Sequence, residues 1–239
     1  MQIESVNNPK IKDLIKLKDK KYRDLTNSFI VEGCHLVREA LKKNLVIEIY
    51  SLNDEDYGVP SFKITEVVMK RVSMQVSISP VIALCKKMSE EDILGPTLIL
   101  DGIQDPGNLG TIIRSAVAFS MPNIIISDDS VDLYNPKVIR STEGMIFHVN
   151  VVRRNLREFL PTLKKDYQII GTDVRKGVNI RDLSLNSNYG IVIGSEGSGM
   201  GVSKEFCDTF IKISMSDKCE SLNAGVSASI IMYECDNHE

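Results

Sequence analysis

Apolar positions change their pattern near residue 96. Before it, short apolar runs alternate with lysine-rich stretches of helical period. Asn8-Pro9 predicts a helix start, because a capping side chain precedes a proline at the first helical position. Ile11, Leu14 and Ile15 then share one face. Phe29 to Val31 predicts a strand, and Leu36, Val37, Ala40 and Leu41 a second helix. A strand at 45–52, a helix capped by Thr65 and a strand at 81–85 complete this part. The polar stretch 86–96 ends in Gly-Pro and reads as a boundary.

Beyond it, apolar strands alternate with amphipathic helices. Strands are predicted at 97–103, 123–127, 147–152, 168–174, 190–196 and 211–215. Helices are predicted at 110–120, 136–145 and 156–165, near Lys204, and from Ser221 to Tyr233. This alternation predicts an α/β fold, with a mostly parallel sheet covered by helices on both faces. The domains are read as 1–90 and 97–239. Ligands on such sheets bind at the carboxyl ends of the strands.

Composition narrows the classes. The chain has 239 residues, 43% hydrophobic and 26% charged, as in a globular protein with a full core. No apolar stretch reaches the ~18 residues of a membrane span, and the N-terminal segment has no apolar signal core. A soluble, cytoplasmic protein is expected. Five cysteines without C-x-x-C spacing, and His35, His148 and His238 scattered, point away from disulfides and metal ligation.

Charge is uneven. The net charge is −3, yet residues 1–90 carry 15 basic and 12 acidic groups, and 134–181 carry 10 and 4. The clusters at Lys10 to Arg23 and at Arg153, Arg154 and Arg157 would suit a polyanion. Solvated helix faces are the plainer reading.

Three loops follow strand ends. In 101–116, Gly107 and Gly110 permit an exposed backbone around Asn108, and Arg114 lies one helical turn beyond Gly110. A helix start with an arginine suits an anion, although no Gly-Lys-Ser/Thr makes it a nucleotide P-loop. In 193–201, four glycines surround Glu196 without forming G-x-G-x-x-G, so a dinucleotide site is disfavoured. In 213–234, Ser221 and Asn223 precede small residues whose spacing implies close helix packing.

Taken in order, GNLGTIIRSA, IVIGSEGSGM and ESLNAGVSASIIMYE resemble the three motifs of the SpoU/TrmH family of RNA ribose 2′-O-methyltransferases. Residues 135–147 are similar to the segment between the first two motifs, and residues 8–41 to the N-terminal RNA-binding module of many members. Ala224-Gly225 replaces a bulkier pair often seen after Ser-Leu-Asn, and MSDKCE is more charged than usual.

The resemblance implies a deep trefoil knot in the C-terminal domain, one of the rare exceptions to unknotted topology. It also implies a small N-terminal α/β domain for RNA. S-adenosylmethionine would bind without metal, with Gly194, Ile213 and Leu222 lining its pocket. Arg114, Asn108, Glu196, Ser221 and Asn223 would carry the reaction, in a homodimer formed through the C-terminal domain. Ribosomal RNA is the expected substrate. Transfer RNA, a non-catalytic RNA-binding protein and a metabolic phosphate-binding protein are the alternatives.

Overall fold

The computed structural model describes residues 2–75 and 78–236. The chain begins with β1 (Gln2–Ile3), α1 (Pro9–Lys16), α2 (Lys20–Thr26), β2 (Ser28–Glu32), α3 (Cys34–Lys42) and β3 (Val46–Ser51). β4 (Ser61–Ile64), α4 (Glu66–Val72) and β5 (Val81–Lys86) follow. Asn8 caps α1 through Lys10 N–H and Thr65 caps α4 through Val68 N–H, as their sequence signals require. The five strands form one mixed sheet in the order β1-β4-β3-β5-β2. Ile11, Leu14, Met69 and Ile82 are sealed in its core.

The next elements are β6 (Thr97–Asp101), α5 (Pro106–Ala118), β7 (Asn123–Ser127), α6 (Pro136–Ser141), β8 (Asn150–Arg154) and α7 (Leu156–Leu163). Then come β9 (Gln168–Thr172), β10 (Val178–Asn179), β11 (Tyr189–Gly194), β12 (Thr209–Lys212) and α8 (Ala224–Asp236). Seven strands pair in parallel in the order β10-β12-β9-β11-β6-β7-β8. Ile99, Ile125 and Val192 pack on one face with Leu156 and Leu160 of α7. Alternate strand positions face the other way. There Ile193 shares a cavity wall with Ile231 of α8.

Packing divides the chain into two compact units, Met1–Ser89 with Asp132–Phe147, and Glu90–Val131 with His148–Glu239. The segment 132–147 thus returns to the first unit, where α6 meets β2. Arg23 anchors it. This guanidinium, only 4% exposed, donates to the carbonyls of Leu17 and Lys18 and to Asp132 Oδ2 at 2.7 Å.

Several boundaries differ from the sequence reading. α5 starts at Pro106, because the Asp105 carboxylate accepts from Asn108 N–H and caps it. α8 starts at Ala224, with Asn223 rather than Ser221 as the cap: Asn223 Oδ1 accepts from Val226 N–H. β8 lies at Asn150–Arg154 because Met145–His148 is a turn of 3-10 helix. β12 lies two residues earlier than expected. His35 Nε2 lies 3.0 Å from the Glu143 carbonyl oxygen. His238 lies outside the described residues.

The expected polyanion patches are partly engaged within the fold, while Lys12, Lys21 and Arg157 stand exposed and unpaired among the described residues. Lys10 pairs with Glu48, Lys16 with Asp13 and Lys20 with Asp24, while Lys18 donates to the carbonyls of Arg71 and Ser73. Arg154 pairs with Glu90. Arg153 donates to four carbonyls, those of Ser127, Asp128, Ser130 and Val131, at 2.6–3.0 Å. It therefore clamps the loop after β7. Arg153→Met strands these carbonyls. It should cost roughly 1–3 kcal/mol in urea unfolding. The salt dependence of polyanion binding should stay unchanged.

Candidate functional site

The carboxyl ends of β6, β9 and β11 meet three loops of the second unit. The glycine loop after β11 folds back sharply. Ser195 and Gly199 exchange two backbone hydrogen bonds, at 3.0 and 2.9 Å. Gly199 takes φ +68°, the left-handed region open to glycine. A Cβ on Gly194 would lie 2.2 Å from the Gly199 carbonyl carbon, so this position excludes any side chain.

A buried carboxylate fixes the far end of the loop. Asp101 Oδ2, at the end of β6, accepts from Gly201 N–H at 2.8 Å and from Ser203 N–H at 3.2 Å. The Ser203 hydroxyl also donates to it. No signal in the sequence distinguishes Asp101 beyond its place at a strand end.

Glu196 joins all three loops. Its Oε1 accepts from Asn108 Nδ2 at 2.9 Å, Asn223 Nδ2 at 2.5 Å and Ala224 N–H at 3.0 Å. Asn223 Nδ2 also donates to Asn108 Oδ1 at 2.8 Å. Both amides are thereby locked in orientation, and the first N–H of α8 is satisfied. Glu196 holds the two asparagines and not Arg114. Arg114 stands exposed on α5, with no hydrogen bond or ion pair among the described residues.

Beneath the glycine loop lies a cavity of about 260 Å³. Gly194, Ile213 and Leu222 line it together, as do Glu196 and Ser221. Ile193, Ile211 and Ile231 give it an apolar wall. Asn108, Arg114 and Asn223 stand outside this lining. The sequence reading missed Thr172, Asp173 and Met200, which also border it. Asp173 Oδ1 accepts from the N–H groups of Arg175 and Lys176, both at 2.8 Å, and these hold its carboxyl below the usual range. Its position just past a β-strand at a sheet's carboxyl end was the available signal.

α8 packs closely on α5. A Cβ on Gly225 would stand 3.3 Å from Thr111, and the Ser115 and Ser229 hydroxyls are 2.7 Å apart. Among the described residues no three His, Cys, Asp or Glu side chains group to hold a metal ion, and no helix is long and apolar enough to cross a membrane.

Comparison with known proteins places this geometry. Residues 95–233 match the SpoU rRNA Methylase family, and residues 8–83 match an MRM3-like substrate binding domain. The 23S rRNA (guanosine(2553)-2′-O)-methyltransferase RlmP of Bacillus subtilis is 34% identical, over 97% of this chain and 98% of its own. An AdoMet-bound rRNA methyltransferase from Sinorhizobium meliloti superposes with a TM-score of 0.90 at 26% identity, covering 100% of this chain and 98% of that one. An RNA 2′-O ribose methyltransferase superposes with a TM-score of 0.82 at 28% identity, covering 98% and 97%.

The tight return of the glycine loop is testable by itself. Gly194→Ala should lift the loop off β11 at a cost of roughly 1–3 kcal/mol, the range for over-packing. Amide exchange at Ser195 and Gly199 should then accelerate. Gly197→Ala, which meets nothing within 4 Å, should leave both amides protected.

Proposed function

The chain belongs to the SpoU rRNA methylase family, and from that premise we propose that it methylates a ribose 2′-hydroxyl of ribosomal RNA. S-adenosylmethionine is the donor. The observation that carries the reading is the Asn108–Glu196–Asn223 cluster, built by three loops beside one apolar cavity.

The residues fit this donor. Ile193, Ile211, Ile213, Leu222 and Ile231 offer apolar walls to a flat base. At Gly194 the loop backbone approaches so closely that no side chain intrudes. When bound, the donor supplies a methyl group on a positively charged sulfur with a neutral leaving group, so the protein need only orient and manage a proton.

The amides of Asn108 and Asn223 are already spent on Glu196 and on each other. We therefore read Asn108, Glu196 and Asn223 as positioning residues that fix the mouth of the cavity. The Ser221 hydroxyl has no side-chain partner among the described residues and lines the cavity. Its Oγ would accept a hydrogen bond from the 2′-hydroxyl, whose proton would pass to solvent as the oxygen–methyl bond forms and the carbon–sulfur bond breaks. A guanidinium stays protonated at any physiological pH, so Arg114 is not the base. It would donate N–H bonds to the 2′ oxygen as charge develops there, and to the adjacent phosphate.

The same reading divides the labour between the first ninety residues, which bind RNA, and residues 97–239, which hold the donor and the chemistry. The match of residues 8–83 to a substrate binding domain supports the first part. A trefoil knot fits the course of residues 213–223. They leave β12, outside β9, and reach α8, which packs on α5 and β11. A homodimer through α8 is supported by Val226 and Tyr233, seven residues apart on one face and 45% and 52% exposed. With ribosomal RNA as its substrate, the enzyme would act in the cytoplasm.

Mapping 2′-O-methylation in total RNA, with and without the gene, should show one or a few ribosomal positions lost. A loss confined to transfer RNA would overturn the ribosomal assignment. Arg114→Lys keeps the charge without the fork. It should retain donor binding by calorimetry and lose about 10²-fold or more in turnover. Val226→Asp should convert the dimer to a monomer in light scattering at micromolar concentration.

A further inference from the structure

A second space opens off the donor cavity. It is a cleft of about 500 Å³, and the two share Thr172, Asp173, Gly199, Met200 and Ser221. Two side chains line the cleft and not the cavity with positive charge, Arg175 and Lys204. Both are exposed, and neither the guanidinium nor the ammonium makes a hydrogen bond or ion pair among the described residues, although the Lys204 charge attracts Asp173 from a distance. This contrasts with Lys10, Lys16, Lys20, Arg23 and Arg154, each already paired with a carboxylate.

Two carboxylates also border the cleft, Asp173 and Glu220. Asp173 lines both spaces and is held charged by the N–H groups of Arg175 and Lys176. An anion lodged in the inner cavity would lie against it. An anion arriving from solvent meets Arg175 and Lys204 instead. Glu220 sits in the exposed loop before α8 and opposes any anion there.

We propose that Arg175 and Lys204 bind a backbone phosphate of the RNA strand at the mouth of the donor cavity, with Glu220 weakening that contact. The inference rests on the proposed RNA substrate and adds a contact in the second unit that neither the motif residues nor the substrate binding domain supplies. It holds the strand at the donor, so that the target ribose is presented by the domain that reacts with it. The contact reads no base, since a phosphate carries no sequence.

The test uses the full chain and an unmodified 23S rRNA transcript. In the Arg175→Ala/Lys204→Ala variant, KM for RNA should rise about tenfold, the weight of 1.4 kcal/mol. The slope of log affinity against log salt should flatten by about 0.7, for one single-strand phosphate released. S-adenosylmethionine affinity, by calorimetry without RNA, should be unchanged. Glu220→Gln should move RNA affinity the opposite way. An unchanged salt slope in the double variant would overturn the proposal. So would a fall in S-adenosylmethionine affinity with RNA binding intact, since the anion would then be the donor's own carboxylate. Wild-type protein that neither binds nor methylates the transcript would overturn the substrate reading as well, whereas failure of the variants alone leaves that reading standing.

Discussion

One carboxylate oxygen organises the reactive end of the larger sheet. Glu196 Oε1 accepts from a loop 88 residues before it and from two donors 27 and 28 residues after it. A charged acceptor shared among three N–H groups makes strong, directional bonds. It settles where α8 begins, which way two amides face, and how closely three loops approach. Remove the side chain, and Ala224 N–H, Asn108 and Asn223 all lose the same partner at once. The segments it joins are far apart in sequence, so their closure entropy is met late in folding.

The glycine loop is held by carboxylates near both ends, Glu196 within it and the buried Asp101 beyond it. Between them lie the crossed bonds of Ser195 and Gly199. Glycine here provides close approach rather than looseness. The backbone presses on β11 where no side chain fits, and the cavity beneath keeps its shape before any ligand enters. Preformed cavities of this kind spend little binding energy on ordering themselves.

Much of the architecture was legible in the sequence. Short apolar runs alternating with amphipathic stretches implied the parallel sheet, and small residues at Gly225 and Ser229 implied close packing, for which the fold supplies α5 as the partner. The start of α5 was misread for a physical reason: Gly107 and Gly110 looked like loop, although Asp105-Pro106 carries the signal that begins α1 and α6. α2 was missed because its sequence KKYRDLT buries only Arg23, so it shows no apolar stripe. The gathering of Gly194, Ile213 and Leu222 at one cavity was legible from the family motifs. What could not be read was neutralisation. Whether a lysine or an arginine is free depends on partners such as Glu48 or Glu90, which only the fold brings near. Asp101 was hidden likewise, since its carboxylate gains its role from backbone N–H groups at Gly201 and Ser203, far along the chain.

The returning segment 132–147 bears on how the protein is made. The first unit contains these residues, so its packing stays incomplete until the chain has been synthesised past Phe147. By then β6 and β7 have emerged, while β11, the other neighbour of β6, has not. The apolar strands 97–101 and 123–127 are therefore made before all of their sheet neighbours. Unpaired strand edges invite association with other chains. Vectorial synthesis thus leaves one edge of β6 without its second neighbour until β11 has been made.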